Sequence, residues 1–444
     1  MNFSQFLYIS SKALVRPDYI SVRKALRGSS GWGLREITSY QDLAISRIVK
    51  YAFEEIPYYS RMMKLAAINP YQIESSAELK KIPILTKELI TANADELLSK
   101  DKNIRRIPGA SGGSTGVPLR YFMSAENALY SSLLLDRGLG LGGYRQGDKL
   151  AIVAGGSLVG ARKPMRKRLI ERLANWRYFS SYGMSDKLLA AYSKEIIEFR
   201  PKYLRGYASA LNALANYLQK TGQHHKVKLH AIFSTSEMLL DNVRANLENI
   251  FHCPVFDGWG LNDGGATAFE CEQHQGMHID PERAYVEIVE DETTACYGPG
   301  IGRVIVTNLL DKAMPFIRYD SGDIGRIEYE KCSCGRETPR LFLRYGRITD
   351  QISVGGRIIG APVLTVLMGK MPVRQYQIAK TKENELTFRI IKREEYTNET
   401  EKYLRKSLGE RIGEVDLIFH YVDEIYPPQG AKHKFLVDEL NSRT

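Results

Sequence analysis

Between residues 149 and 257 the chain alternates short apolar runs with longer amphipathic stretches. Lys149-Leu150-Ala151-Ile152-Val153-Ala154 is bounded by Gly147-Asp148 and Gly155-Gly156. Tyr203-Leu204-Arg205-Gly206-Tyr207 leads into a helical pattern over 208–221, and an apolar run over 229–233 precedes another over 240–250. Pro254-Val255-Phe256-Asp257 closes the series. A strand that is apolar on both faces needs cover on both, and an intervening helix returns the chain so that successive strands lie parallel. The alternation therefore predicts an α/β fold with a substantial parallel sheet.

Around that segment the pattern changes. A helix is expected over 40–64, with Leu43, Ile45, Ile48, Val49 and Ala52 as its apolar stripe and Ile56-Pro57-Tyr58-Tyr59 ending it. Strands are expected over 105–108 and 119–122, and a helix over 125–135. From about residue 283, runs at 285–289, 302–307 and 323–327 read as strands joined by turns, a smaller β-rich subdomain. Beyond about Asp350 a helix near 361–368, strands near 376–379 and 386–391, a helix over 395–409 and a strand over 415–421 make a separate α+β unit. A chain of 444 residues exceeds one core. The expected division is a large N-terminal domain of several subdomains over 1–350 and a small C-terminal domain over 351–444.

The hydrophobic and charged fractions, 43% and 25%, are those of a soluble globular protein, and no apolar run reaches membrane-spanning length. Met1 to Leu14 lacks a basic leader region and a small-residue cleavage pattern, so it reads as folded protein. Five cysteines fit a reducing, cytoplasmic setting better than a disulfide framework. The net charge of +11 is partly local: Arg162, Lys163, Arg166, Lys167, Arg168, Arg172 and Arg177 alternate with Leu169, Ile170, Leu173, Ala174 and Trp176. That run reads as a basic amphipathic helix, either a solvated face or a contact for an acidic ligand or anionic membrane surface. No nucleic-acid motif accompanies it.

Ser111-Gly112-Gly113-Ser114-Thr115-Gly116-Val117-Pro118 is the strongest binding signal. Glycines let several N–H groups converge, and hydroxyls add donors without bulk, so the loop suits the phosphates of a nucleotide. It is neither a Walker A sequence nor G-x-G-x-x-G. Asp257-Gly258-Trp259-Gly260-Leu261-Asn262-Asp263-Gly264-Gly265 sets an aromatic ring near a carboxylate, suited to a purine face and a magnesium ion. Arg318-Tyr319-Asp320-Ser321-Gly322-Asp323 offers a carboxylate for ribose hydroxyls. Gly346-Arg347-Ile348-Thr349-Asp350 adds a cation, and Gln429-Gly430-Ala431-Lys432-His433-Lys434 places lysines on a glycine loop.

In this order the motifs resemble the adenylate-forming (acyl-CoA synthetase-like) superfamily, and within it the phenylacetate–CoA ligase, coenzyme F390 synthetase and CapK-type branch. Asn262-Asp263-Gly264-Gly265 with Ala268-Phe269-Glu270-Cys271, the Cys332-Ser333-Cys334-Gly335-Arg336 turn and the Ile56-Pro57-Tyr58-Tyr59 entry carry the likeness, which spans about 40–440. The resemblance implies an adenylate-forming N-terminal domain, a mobile C-terminal lid, and a two-step reaction. ATP and a small carboxylic acid give an acyl-adenylate, and a thiol, usually CoA, displaces AMP. It implies that Ser111, Gly112, Gly113, Ser114, Thr115 and Gly116 hold phosphates, and that Ser236, Glu237 and Trp259 flank adenine. Asp263 would lie at the magnesium position with Asn262 beside it in the nucleotide site, Asp323 at the ribose, Arg347 near the ribose and phosphate, and Asp350 at the hinge. Lys432 would bridge the carboxylate and the α-phosphate. Three positions depart from the family pattern. Leu119 replaces a common lysine, Asp263 is a methylene shorter than the usual glutamate, and Ala431 separates Gly430 from Lys432, which leaves Lys434 as a rival. The CapK likeness attaches a role in surface-polysaccharide assembly to this reading; direct transfer to an amine or sugar and a non-catalytic nucleotide binder are the competing readings. The oligomeric state is open.

Cys271, His274, His278, Cys332 and Cys334 form a second constellation, C-x₂-H, a further histidine and C-x-C. Four of them suffice for a tetrahedral structural zinc ion, and Cys271, Cys332, Cys334 with His278 or His274 are the expected ligands. Some members of the branch carry such a site. Cys253 and Cys296 read as packing residues.

Overall fold

The computed structural model describes every residue except 1–2, 111–118, 155–170, 182–183, 262, 293, 344–350, 355–356, 361–367, 369–370, 413–414, 426–435 and 441–444. Ser111 to Gly116, Asn262, Arg347, Asp350, Lys432 and Lys434 thus lie outside the described residues.

The N-terminal helices build a platform. The predicted single helix is two. Leu34–Glu55 buries Ile37, Ile45, Ile48, Val49 and Ala52. It stops at Ile56 because Pro57 cannot supply the next backbone donor. Pro57 instead opens Pro57–Leu65, where a first-turn proline has no bond to lose. Tyr59 on that second helix is fully buried and clamps the β-rich region: its hydroxyl donates to the Pro315 carbonyl at 3.0 Å and accepts from the Ile317 N–H at 2.9 Å.

Strands β1 (Arg106–Ala110) and β2 (Arg120–Ser124) pair antiparallel, Ala110 opposite Arg120, and carry residues 111–118 between them. At Gly109 a Cβ would overlap the Tyr121 ring, so this ribbon needs a glycine. The parallel sheet follows from β3 (Leu150–Ala154), β4 (Trp176–Ser180), β5 (Tyr203–Gly206), β6 (Ala231–Ser234) and β7 (Val255–Phe256), in the order β4-β3-β5-β6-β7. Helices Asp186–Phe199, Ala208–Lys220 and Asp241–Phe251 return the chain between strands. The core between them is apolar, with Ile152, Val153, Leu204, Leu214, Ile232 and Val255 almost fully buried.

The basic run differs from expectation. Its end is not helical: the chain turns at Ala174 and Asn175, and Trp176 and Arg177 enter β4, paired with Leu150 and Ala151. The apolar spacing of that stretch fits a helix, but the open edge of β3 satisfies its backbone as a strand instead. Trp176 is turned to the interior, donating to the Tyr144 hydroxyl at 2.9 Å, so a basic helix reaching to Arg177 is excluded. Arg162 to Arg168 lie outside the described residues. No helix among the described residues is long and apolar enough to cross a membrane.

Strands β8 (Gly258–Gly260), β9 (Thr267–Glu270), β10 (Met277–Ile279), β11 (Ala284–Val289), β12 (Gly302–Asn308), β13 (Tyr319–Glu328) and β14 (Arg340–Phe342) form one sheet, ordered β11-β12-β13-β14-β10-β9-β8. All its pairings are antiparallel. Beyond it come the hairpin β15 (Gln351–Val354) and β16 (Arg357–Gly360), then β17 (Val373–Lys382), β18 (Glu385–Lys392), β19 (Asp416–Tyr421) and β20 (Leu436–Asp438), ordered β19-β18-β17-β20. Helix Asn398–Ile412 covers this last sheet, and its Leu404 and Leu408 are buried with Ile378, Phe388, Ile352 and Val354.

Candidate functional site

The parallel and antiparallel sheets meet where β7 runs into β8. Trp259 on β8 donates its indole N–H to Asp323 Oδ2 at 2.9 Å, joining two residues 64 apart in sequence. Asp323 is buried on β13. Its N–H is held by Ser321 Oγ at 3.1 Å, and that hydroxyl donates to the Val304 carbonyl at 2.8 Å. The carboxylate is therefore positioned by the sheet rather than by a flexible loop.

Asp263 lies in the turn between β8 and β9. The Tyr319 hydroxyl donates to its Oδ2 at 3.0 Å. The turn depends on Gly265, whose φ of +71° suits glycine and whose Cβ would collide with Asn308. Ser236 follows β6 in the left-handed region at φ +66°, and Glu237 Oε2 accepts the Ser209 N–H at 2.9 Å at the start of helix Ala208–Lys220. Trp259, Asp263 and Asp323 are thus linked to one another or to β13, and Ser236 and Glu237 sit on the neighbouring loop after β6. The glycine-rich loop and both tail lysines fall outside the described residues.

Beneath this seam lie two carboxylates with unlike environments. Glu270 accepts two bonds from Arg244 Nη2 at 2.9 Å, one from the Asp257 N–H at 2.9 Å, and pairs with His274 at 3.1 Å. Burial would raise its pKa, but these partners together hold it below the usual range. Asp257 accepts only the Gly258 N–H at 3.0 Å among these partners, and burial, with the Glu270 charge beside it, pushes its pKa up to about 7.

Cys271, His278, Cys332 and Cys334 converge, with their four ligand atoms within 4.8 Å of one another. Cys271 follows β9, His278 is central in β10, and the two other thiols sit in the turn from β13 to β14. That turn closes on itself, Gly335 N–H to the Cys332 carbonyl at 2.9 Å and Cys332 N–H to the Arg336 carbonyl at 3.0 Å, with Gly335 at φ +91°. Cys271 and Cys332 sulfurs are 3.9 Å apart, and Cys334 Sγ lies 3.4 Å from His278 Nε2. A tetrahedral zinc ion with metal–sulfur bonds of about 2.3 Å and metal–nitrogen bonds of about 2.0 Å requires separations of roughly 3.5–3.8 Å, so the donors fit. Thr338 Oγ1 engages His278 Nδ1 at 2.8 Å, leaving Nε2 toward the sulfurs. His274 is turned away, bonded to Glu270 and Arg244 and packed on Phe256.

Two arginines were not singled out by the sequence motifs. Arg205 sits in the central strand of the parallel sheet and lines a narrow cavity under the seam. Arg283 is fully buried. Its Nε donates to Asn127 Oδ1 at 2.8 Å, and its two terminal nitrogens have no hydrogen-bond partner. Burial lowers its pKa to about 10. For Arg205 the available signal was an arginine inside an otherwise apolar or aromatic strand; Arg283, in the charged turn Asp280-Pro281-Glu282-Arg283, had no such signal.

This fold is that of the adenylate-forming acyl-CoA ligases. The chain superposes on 2-hydroxyisobutyryl-CoA ligase in its postadenylation state with a bound acyl-AMP at a TM-score of 0.73, over 93% of both chains at 18% identity. In sequence it is similar to the phenylacetate–CoA ligase and CapK branch. It is 23% identical over 420 residues to protein CapK of Staphylococcus aureus, covering 91% of this chain and 90% of that one. It is 24% identical over 404 residues to the phenylacetate–coenzyme A ligase of Thermus thermophilus, covering 88% of each. No family model matches the chain.

Proposed function

We propose that the protein is an AMP-forming carboxylate ligase that activates a small carboxylic acid and passes the acyl group to CoA. The observation that carries this reading is the Trp259–Asp323 bond beside the Asp263 turn. It sets an aromatic ring, a sheet-held carboxylate and a second carboxylate along one seam, and relatives that align over most of the chain are CoA ligases.

In the first step a carboxylate oxygen of the acid attacks the α-phosphorus of ATP, and pyrophosphate leaves. In the second a thiolate attacks the acyl carbon, and AMP leaves. The transition state of the first step gathers charge on the α-phosphate, so donors and cations aimed there lower the barrier. Ser111 to Gly116 supply N–H and hydroxyl donors to the phosphates. Trp259, with Ser236 and Glu237, covers adenine; Asp323 and Arg347 hold the ribose. Lys432, with Lys434 as the alternative, bridges acid and phosphate. Asp263, whose carboxylate is held by the Tyr319 hydroxyl, would bind magnesium, which would neutralise phosphate charge, and Asn262 belongs to the same nucleotide site. Residues 351–444 act as the lid that swings about Asp350 between the steps. Cys271, His278, Cys332 and Cys334 hold a structural zinc that ties β9, β10 and the β13–β14 turn together.

Carboxylate-dependent exchange of labelled pyrophosphate into ATP tests the first step. Exchange with at least one acid, reduced by about 100-fold or more in Lys432→Ala, is expected. No exchange with any acid, while AMP still binds, would refute the reading. Adding CoA and following thioester formation tests the second step; an acyl-adenylate that reacts with amines or sugars but leaves CoA untouched would move the acceptor assignment to direct transfer.

A further inference from the structure

Arg205 is a charged residue where the fold offers little reason for one. It lies on the middle strand of the parallel sheet, with Ile152 on one side and Phe233 on the other. Its neighbours in sequence, Leu204 and Gly206, are buried, and the strand is otherwise apolar or aromatic. Placing a guanidinium there has a desolvation cost unless an anion answers it.

Arg205 lines a narrow cavity walled by Leu139, Phe233, Phe256 and Phe269, with Ser234, Asp257 and the Arg244-held Glu270 at its polar end. The ring of Phe269 is seated against Gly138 and Gly258, where any Cβ would overlap it, so this wall is fixed by the backbone. The cavity lies directly below the seam. Ser234 leads through Thr235 into Ser236, and Asp257 leads through Gly258 into Trp259.

Arg205 forms no hydrogen bond or ion pair with any described residue. The acidic groups around it are already engaged. Glu270 is held by Arg244 and His274. Asp257 accepts from Gly258, and burial and Glu270 raise its pKa to about 7, so part of its charge is lost near neutral pH. Asp136 acts on Arg205 only through space and accepts a bond from Gln146. The phenols of Tyr178, Tyr207 and Tyr144 surround the arginine without neutralising it. Burial lowers the arginine's pKa, so an anion at this position would stabilise its charged form.

We propose that Arg205 binds a second carboxylate of the acid substrate, so that the protein activates a dicarboxylic acid at one end and holds the other end in the cavity beneath the seam. The proposal rests on the adenylation reading and names the substrate class for it. One carboxylate oxygen attacks the α-phosphorus and displaces pyrophosphate; the distal carboxylate keeps its charge and stays unreacted. A planar fork of N–H donors matches a carboxylate with two parallel bonds, which a lysine or an amide does not reproduce.

Pyrophosphate exchange with acids matched in chain length separates the possibilities: butyrate against succinate, and valerate against glutarate. The wild-type protein is expected to favour the dicarboxylate of each pair by about 100-fold in kcat/KM. Arg205→Met should raise the KM for that dicarboxylate by about 100-fold and leave the matched monocarboxylate unchanged or improved. Arg205→Lys, which keeps the charge and loses the fork, should fall between. Glutarate should raise the melting temperature of the wild type and not of Arg205→Met, while ATP raises both, which also shows that the variant is folded. A wild-type preference for monocarboxylates overturns the assignment by itself, whatever the variants do. So does an Arg205→Met or Arg205→Lys protein that keeps the wild-type dicarboxylate preference. In both of those outcomes exchange continues and the adenylation reading stands; exchange with no acid at all removes both.

Discussion

The two large sheets solve the same problem with different materials. The parallel sheet is held by apolar contact: its core residues are aliphatic or aromatic, and its returning helices bring more of the same. The antiparallel sheet buries charge. Arg318 pairs with Glu287 at 2.8 Å and also donates to the Lys80 and Ile82 carbonyls. Arg137 reaches Asp280 at 2.6 Å and Glu282 at 2.7 Å. The four-residue Cys/His cluster belongs to the same sheet, where β9, β10 and the β13–β14 turn converge. The difference teaches where a site can be built. A mostly apolar sheet gives a rigid floor on which a single charge such as Arg205 stands out, whereas a sheet rich in fixed charges can aim Asp323 and Asp263 at a ligand. The candidate site lies where the two join.

The contrast makes graded predictions. The largest effect belongs to the metal cluster. Cys332→Ser should lower zinc from one per chain to near zero by elemental analysis and reduce the melting temperature by roughly 10 °C. Cys253→Ser, in the apolar core of the parallel sheet, should leave the zinc content unchanged. Next is the buried pair. Arg318→Met should cost about 3–5 kcal/mol in chemical denaturation, because Glu287 is left buried without a partner. Adding Glu287→Leu should restore much of it. In the parallel sheet, Leu214→Ala should cost about 3 kcal/mol, with no dependence on salt. If Arg318→Met proved as mild as a surface change, the contrast between the sheets would fail.

The smallest effect is a slope. Folded Asp257 keeps its proton up to about 7, whereas the unfolded chain releases it near 3.8. Between those values the folded state binds more protons, so this group makes stability fall as pH rises from about 4 to 7. Asp257→Asn should flatten that fall in denaturation curves taken across the window, with little change at the acid end.

Much of the architecture was legible because it rests on local pattern. Strands β3, β5 and β6 were marked by apolar runs that fall within one or two residues of the observed spans. Their identity depends on burial from both faces, which a sequence displays. The end of the basic run was not legible, since Trp176 and Arg177 take strand geometry from the edge of β3, a partner distant in sequence. Strands β9 and β10 are too short to show a period, so the region holding Cys271 and His278 became clear only through its pairing. The choice between His274 and His278 is a matter of facing: one ring turns to Glu270 and the other to the sulfurs. Arg205 read simply as part of a strand, because which described groups bond to it is a property of the folded neighbourhood. The bond between Trp259 and Asp323 likewise has no signature in spacing.

The central claim is that one nucleotide lies along the seam, and a crystal structure with a non-hydrolysable acyl-sulfamoyl adenosine tests it most directly. The account predicts the adenine against Trp259, the ribose hydroxyls on Asp323, and the sulfamoyl group directed toward Asp263. Adenosine bound elsewhere, with Trp259 and Asp323 bonded to each other and touching no ligand, would contradict it.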